Sequence, residues 1–168
     1  MHESIVVMGV AGCGKSSLAA AIARSEKMPL IEGDDFHSVA SREKMHAGVP
    51  LTDDDRKDWL ETLGRKLQGA EGIVLTCSAL KRRYRDGLRA ASPGLRFLFL
   101  QIDREASMER VAGRGSAHFF SSKLVDSQFA ALESPVGETG VITLDATLPI
   151  EQLQKQAAAE LRGLDNRT

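Results

Sequence analysis

Gly9-Val10-Ala11-Gly12-Cys13-Gly14-Lys15-Ser16 follows directly on the apolar run Ile5-Val6-Val7-Met8 and leads into an Ala-rich stretch from Lys15 to Ser25. It is a complete G-x-x-x-x-G-K-S between a strand pattern and a helix pattern, the context in which this motif forms a phosphate loop. The glycines permit a tight turn whose backbone N–H groups point inward at phosphate oxygens, and the helix behind it adds the positive end of its dipole. Gly9, Val10, Ala11, Gly12, Cys13, Gly14 and Ser17 are expected to share in this cradle. Lys15 is expected to reach the β- and γ-phosphates, and the Ser16 hydroxyl to ligate Mg²⁺. A small residue at Cys13 serves spacing rather than chemistry.

Outward from the loop, apolar runs alternate with helical patterns along the whole chain. Ser4 to Met8, Pro29 to Ile31, Gly72 to Thr76, Leu95 to Ile102 and Val141 to Leu144 read as strands. Helices are predicted over Lys15 to Ser25, Ser41 to Ala47, from a Thr52 N-cap through Leu67, Leu80 to Ala91, Arg104 to Ala112, Ser122 to Leu132, and from Pro149 to about Leu161. The strands are continuously apolar rather than alternating, the mark of a parallel sheet covered on both faces. The prediction is therefore an α/β, three-layer P-loop NTPase fold with a five-stranded parallel sheet, a single domain over residues 1–168. In such sheets ligands bind beyond the carboxyl ends of the strands.

Composition narrows the function classes. The chain has 168 residues, 42% hydrophobic and 27% charged, with 22 Lys and Arg against 23 Asp and Glu. That balance argues against a protein that coats nucleic acid or an anionic membrane, both of which call for a basic surplus. No apolar run approaches the roughly 18 residues of a membrane span. The start, Met1-His2-Glu3, has no basic front of a signal peptide, and Cys13 and Cys77 form no C-x-x-C pair. A reducing, cytoplasmic compartment is the expectation. Asn-Lys-x-Asp, the guanine signature of switch GTPases, is absent, and Asp103 reads as a helix N-cap rather than a metal-binding acid.

The second strand ends in Glu32-Gly33-Asp34-Asp35-Phe36-His37, on the side of the sheet where the phosphate loop opens. Surface loops often carry acids for solubility alone, but acids at a strand's carboxyl end beside a phosphate loop suit catalysis better. A kinase needs a carboxylate that orients or deprotonates the acceptor alcohol in line with the γ-phosphate. Asp34 is the candidate base and Glu32 the candidate to hold Mg²⁺ through water; Asp35 could substitute for either. Past the third strand, Lys81-Arg82-Arg83-Tyr84-Arg85 puts four cations at a helix N-terminus, where cations are unfavourable without an anionic partner. Arg56 could hold a carboxylate bidentately.

These blocks carry a family resemblance. Gly33-Asp34-x-x-His37, then Lys44-Met45-x-x-Gly48-x-Pro50-Leu51-x-Asp53-x-Asp55-Arg56-x-x-Trp59-Leu60, resembles gluconokinases of the short P-loop type. Cys77-Ser78-Ala79-Leu80-Lys81-x-x-Tyr84-Arg85-Asp86-x-Leu88-Arg89, His118-Phe119 and Ser127-Gln128-Phe129-x-x-Leu132-Glu133-x-Pro135 continue it, over about residues 4 to 160. The resemblance implies ATP-dependent, Mg²⁺-dependent phosphorylation of D-gluconate at its 6-hydroxyl, commonly by a homodimer. It also implies the lid-bearing fold shared by shikimate and nucleoside-monophosphate kinases.

Gluconate pairs a polyol chain with one carboxylate, so cations should clamp one end while Asp34 faces the alcohol at the other. His37, Arg56, Ser78, Lys81 and Arg85 fall on the family's motif positions and are the substrate-site candidates. Arg82 and Arg83 do not, and read as surface charge. A lid that excludes water would occupy about residues 113–121. Arg110 is then expected at the nucleotide and Arg114 at the migrating phosphoryl group. Between Arg114 and His118 this chain has three residues where the family pattern has two. A kinase of another small anionic acceptor, such as shikimate, and a non-catalytic nucleotide-binding module are the competing readings; intact Lys15, Ser16 and Asp34 argue against the second.

Overall fold

Along the central strand, Val6 and Met8 are buried in the packing on one face of the sheet, while Ile5 and Val7 are buried on the other. This two-sided burial is why the run shows no polar alternation. The computed structural model describes residues 3–69, 71–113 and 122–165. Its five strands are β1 (Ile5–Met8), β2 (Leu30–Glu32), β3 (Val74–Thr76), β4 (Arg96–Gln101) and β5 (Val141–Asp145), in the spatial order β2-β3-β1-β4-β5. Every pairing is parallel.

The helices are α1 (Lys15–Glu26), α2 (Val39–His46), α3 (Asp53–Gln68), α4 (Arg82–Ala91), α5 (Arg104–Gly113), α6 (Ser122–Ala131) and α7 (Ile150–Asp165). Leu18 and Ile22 of α1 and Leu153, Ala157 and Leu161 of α7 cover one sheet face. Trp59, Leu63 and Leu67 of α3 and Leu88 of α4 cover the other, completing the three-layer α/β fold. Among the described residues no helix is long and apolar enough to cross a membrane.

Local chemistry sets the helix starts. Gly14 takes φ +93° at the N-cap of α1, a conformation that glycine adopts freely and side chains resist. Thr52 caps α3 in a full capping box, accepting from Asp55 N while Asp55 accepts from Thr52 N. Asp103 Oδ1 accepts from Ala106 N at 2.8 Å, the N-cap role expected of it.

Several boundaries differ from the sequence expectation. The second strand runs one residue further, to Glu32, because Glu32 pairs in register with Thr76. The loop expected after it is a 3₁₀ turn, Gly33–Phe36, and α2 begins at Val39 because Ser38 caps it by accepting from Ser41 N. The basic helix starts at Arg82 rather than Leu80, since Ala79 lies in the left-handed region at φ +46° and breaks the helical run. The crossover from β1 runs to one side, to β2, and that from β3 runs to the other, to β4, so a crevice opens beyond the carboxyl ends of β1 and β3.

Candidate active site

The phosphate loop is held from outside by the helices that follow β4. Arg110 of α5 donates from Nη1 to the carbonyls of Gly12 (3.2 Å) and Cys13 (3.3 Å), and from Nη2 to Ala146 O at 2.7 Å. Ser107 Oγ donates to Ala11 O at 2.6 Å. Within the loop, Lys15 Nζ donates to Gly9 O at 2.9 Å and Val10 O at 3.2 Å, so its charge sits where phosphate oxygens would replace those carbonyls. A hollow on the α7 side is lined by Cys13, Gly14, Ser17, Arg110, Leu148 and Ile150, an apolar floor with one cation at its rim. Arg114, His118 and nearly all of the expected lid, 113–121, lie outside the described residues.

At the loop's other end, Ser16 Oγ donates to Glu32 Oε2 at 3.1 Å, and Thr76 Oγ1 donates to the same oxygen at 2.6 Å. Gly33 N in turn donates to Thr76 Oγ1 at 3.1 Å. Only glycine fits here: a side-chain carbon at Gly33 would run into the Thr76 carbonyl oxygen. Ser16 and Glu32 thus present hard oxygen donors side by side at the mouth of the loop, the donor chemistry that Mg²⁺ takes. Among the described residues no group of three or more His, Cys, Asp or Glu is placed to hold a metal.

Asp34 stands on the 3₁₀ turn with its side chain 63% exposed to the crevice. The crowding of nearby protein opposes its charge, but the hydrogen bond from His37 and the cations of Lys15 and Arg42 outweigh it. Its carboxyl is held below the ordinary aspartate value, so it is an anion at neutral pH. His37 is buried, stacked on Trp59 with ring centroids 4.2 Å apart at 21°. Its Nε2 lies 3.4 Å from Asp34 Oδ1, and its buried Nδ1 has no partner among the described residues. Trp59 Nε1 donates to Gly33 O at 2.7 Å, tying α3 to the turn that carries the acid.

One crevice joins these groups: Lys15, Asp34, His37, Arg56 and Ser78 line it, with Met45, Pro50 and Leu51 as an apolar wall from α2 and the loop after it. The crevice is open to solvent along one side. Arg56 donates from Nη1 to Leu51 O at 3.0 Å, which points its guanidinium along this wall. Burial pushes the Cys77 thiol, just past β3, up to about 12, so it stays a neutral packing group.

Two expectations need correction. Arg85 does not face the crevice; it is fully buried, bound to both Glu138 oxygens (3.0 and 2.6 Å) and to the carbonyls of Ala79 (2.8 Å) and Glu133 (2.9 Å). One helical turn after Lys81, its side chain enters the core, where only such a cage of acceptors can hold a charge. Its bond to Ala79 steadies the left-handed turn that presents Ser78. The basic cluster's anionic partners are likewise internal. Lys81, Arg83 and the Tyr84 hydroxyl converge on Asp53, and Lys81 Nζ is 3.1 Å from Asp53 Oδ1 rather than on the crevice wall.

Sequence reasoning missed Thr76, Glu138 and Gln128. Gln128 Oε1 accepts from Ala11 N at 2.6 Å across 117 positions, and Gln128 lines the crevice with Leu124 and Ser127 of α6. Gln128 stood inside a quoted motif; Glu138 and Thr76 carried no local signal.

The AAA-domain family matches residues 5–137. The thermoresistant gluconokinase of Escherichia coli is 38% identical over 155 residues, 89% of this chain and 88% of that protein. A probable gluconokinase of Schizosaccharomyces pombe is 41% identical over 162 residues, 90% of this chain and 83% of that protein. A crystal structure of a gluconokinase from Sinorhizobium meliloti superposes with a TM-score of 0.92 at 44% identity, covering 98% of this chain and 94% of that one. Shikimate kinase from Aquifex aeolicus superposes with a TM-score of 0.59 at 15% identity, over 96% of this chain and 98% of that one, a likeness of fold alone.

Proposed function

The chain belongs to the gluconokinase family, and from that premise we propose that it transfers the γ-phosphoryl group of ATP to the 6-hydroxyl of D-gluconate, giving 6-phospho-D-gluconate and ADP. The observation that carries this reading is one crevice joining Lys15 of the phosphate loop, the anionic Asp34 and the guanidinium of Arg56.

In the proposed reaction the triphosphate lies along the Gly9–Ser16 loop, with the base over the Ser17–Ile150 hollow and Arg110 beside it. Lys15 leaves the Gly9 and Val10 carbonyls for the β- and γ-phosphates. Gluconate enters with its carboxylate toward Arg56 and its terminal alcohol toward Asp34, while Ser78 and His37 border its polyol chain. As O6 bonds to the γ-phosphorus and the bond to the ADP oxygen breaks, the hydroxyl proton passes to Asp34. Ser16, and Glu32 through water, would hold Mg²⁺, which neutralises phosphate charge when bound.

A lid over about 113–121, bringing Arg114 to the transferred group, belongs to this proposal and would limit ATP hydrolysis by water. So does a single kinase domain over residues 1–168, acting as a homodimer in the cytoplasm, where the two buried, unpaired cysteines suit reducing conditions. Light scattering on the eluting protein reads the dimer directly.

The test is a coupled ADP-release assay over gluconate, shikimate and a panel of other sugar acids. A kcat/KM for gluconate at least tenfold above every other acceptor is expected. Equal use of the panel, or no turnover of gluconate, removes the assignment.

A further inference from the structure

We propose that Gln128 is an acceptor-orienting residue, its carboxamide locked by the phosphate loop so that its N–H₂ group points at the substrate; this rests on the gluconate reading above. Ala11 N is a donor only, so the atom of Gln128 that meets it at 2.6 Å has to be the oxygen. That bond settles which way the amide faces. Nε2 then has two donors and no protein partner among the described residues, on a side chain that lines the acceptor crevice with Leu124 and Ser127.

Ala11 and Lys15 are the loop residues that line this crevice, whereas Cys13, Gly14 and Ser17 border the hollow on the other side. Gln128 therefore stands where the loop meets the acceptor. The chemical group it suits is an alcohol or carboxylate oxygen of a polyhydroxy acid. A donor fixed in this way discriminates against acceptors that lack the matching oxygen, since a polar crevice wall left unpaired is costly.

The loop does not depend on Gln128 for its shape. Ser107 holds Ala11 O and Arg110 holds the carbonyls of Gly12 and Cys13, so three contacts from α5 remain when the α6 contact is removed. The far end of α6 is steadied separately, because Leu132 is followed by Glu133, whose N–H donates to Leu80 O at 2.8 Å and whose carbonyl accepts from Arg85. Loss of the amide should thus act on the acceptor and spare ATP.

Two variants of similar volume separate the roles. Gln128→Glu keeps an oxygen for Ala11 N but loses both donors; Gln128→Met loses everything polar. Steady-state kinetics with each substrate varied against saturating partner should show gluconate KM raised about tenfold or more in both variants, the effect of one hydrogen bond to a charged or strongly polar group. ATP KM should move less than threefold in the Met variant, which adds no charge beside the loop. A Glu variant with the wild-type gluconate KM would reduce Gln128 to a loop fastener, and a Met variant whose ATP KM rises in step with gluconate KM would do the same. Should the Met variant fail to fold, Gln128→Leu takes its place. Wild-type protein inert toward gluconate sinks the underlying reading, whereas active wild-type protein with indifferent variants sinks only this assignment.

Discussion

His37 is the partner of Asp34: its Nε2 lies 3.4 Å from Asp34 Oδ1, and Trp59 stacked at 4.2 Å keeps the ring from turning away. The contact favours the carboxylate form of the acid. Leu in place of His37 removes this and lets the Asp34 pKa rise, because crowding is then offset only by Lys15 and Arg42. A base whose pKa rises is protonated at higher pH. The acidic limb of the kcat/KM profile should therefore move upward in His37→Leu, and an unmoved limb would separate the two residues functionally.

Asp34→Asn keeps the shape of the 3₁₀ turn but cannot take a proton. Turnover should fall by about 10²–10⁴-fold, the usual worth of general base catalysis. ATP binding, followed by calorimetry, should stay within a few-fold of wild type. Near-normal turnover would remove Asp34 from the role of base.

Lys15→Ala acts on the donor substrate instead. Without the ammonium that now sits on the Gly9 and Val10 carbonyls, both ATP affinity and kcat should drop together. Unaltered ATP kinetics would contradict the loop assignment.

Glu32→Gln tests the metal. The amide retains size and an oxygen for the hydroxyls of Ser16 and Thr76, but it loses the charge. The Mg²⁺ concentration for half-maximal rate should rise several-fold at fixed ATP, while gluconate KM stays put. No change in Mg²⁺ demand would take Glu32 out of the metal site.

Arg85→Ala should be a stability variant. Removing one partner of a buried pair typically costs about 3–5 kcal/mol, read as a lower denaturation midpoint. Its hydrogen bond, against the opposing effect of burial and with help from Arg89, brings the Glu138 carboxyl down to about 2. A depressed carboxylate stabilises the fold above its unfolded pKa, and that contribution fades as pH falls from the ordinary glutamate range toward about 2. Wild-type protein should lose stability across this window, and the variant should lose less of it there. Equal acid sensitivity in the two would reject the pairing as its source.

The path from sequence to site was uneven for identifiable reasons. Ser16 and Glu32 were legible because the loop after β1 delivers one and β2 ends on the other, and a parallel sheet brings its carboxyl ends to one edge. Lys81 and Arg85 were not, although the need for an anion near them was. Asp53 and Glu138 meet that need from 28 and 53 positions away, and nothing in the spacing of the basic helix says which acid lies opposite. Arg56 stood out as a candidate through its residue type, and α3 delivers it to the crevice wall.

Short-range order was written in the chain itself: the turn from Gly9 to Ser16, the alternation of apolar runs with helical periods, and the cap at Thr52 each depend on neighbours within a few residues. Tertiary packing alone chose the long-range partners: Glu138 for Arg85, Trp59 for His37, and the Ala11 amide for Gln128. Local geometry follows from dihedral preferences and nearby hydrogen bonds. A partner in another element is selected only when layers stack and each buried charge or donor must find whatever acceptor lies within reach.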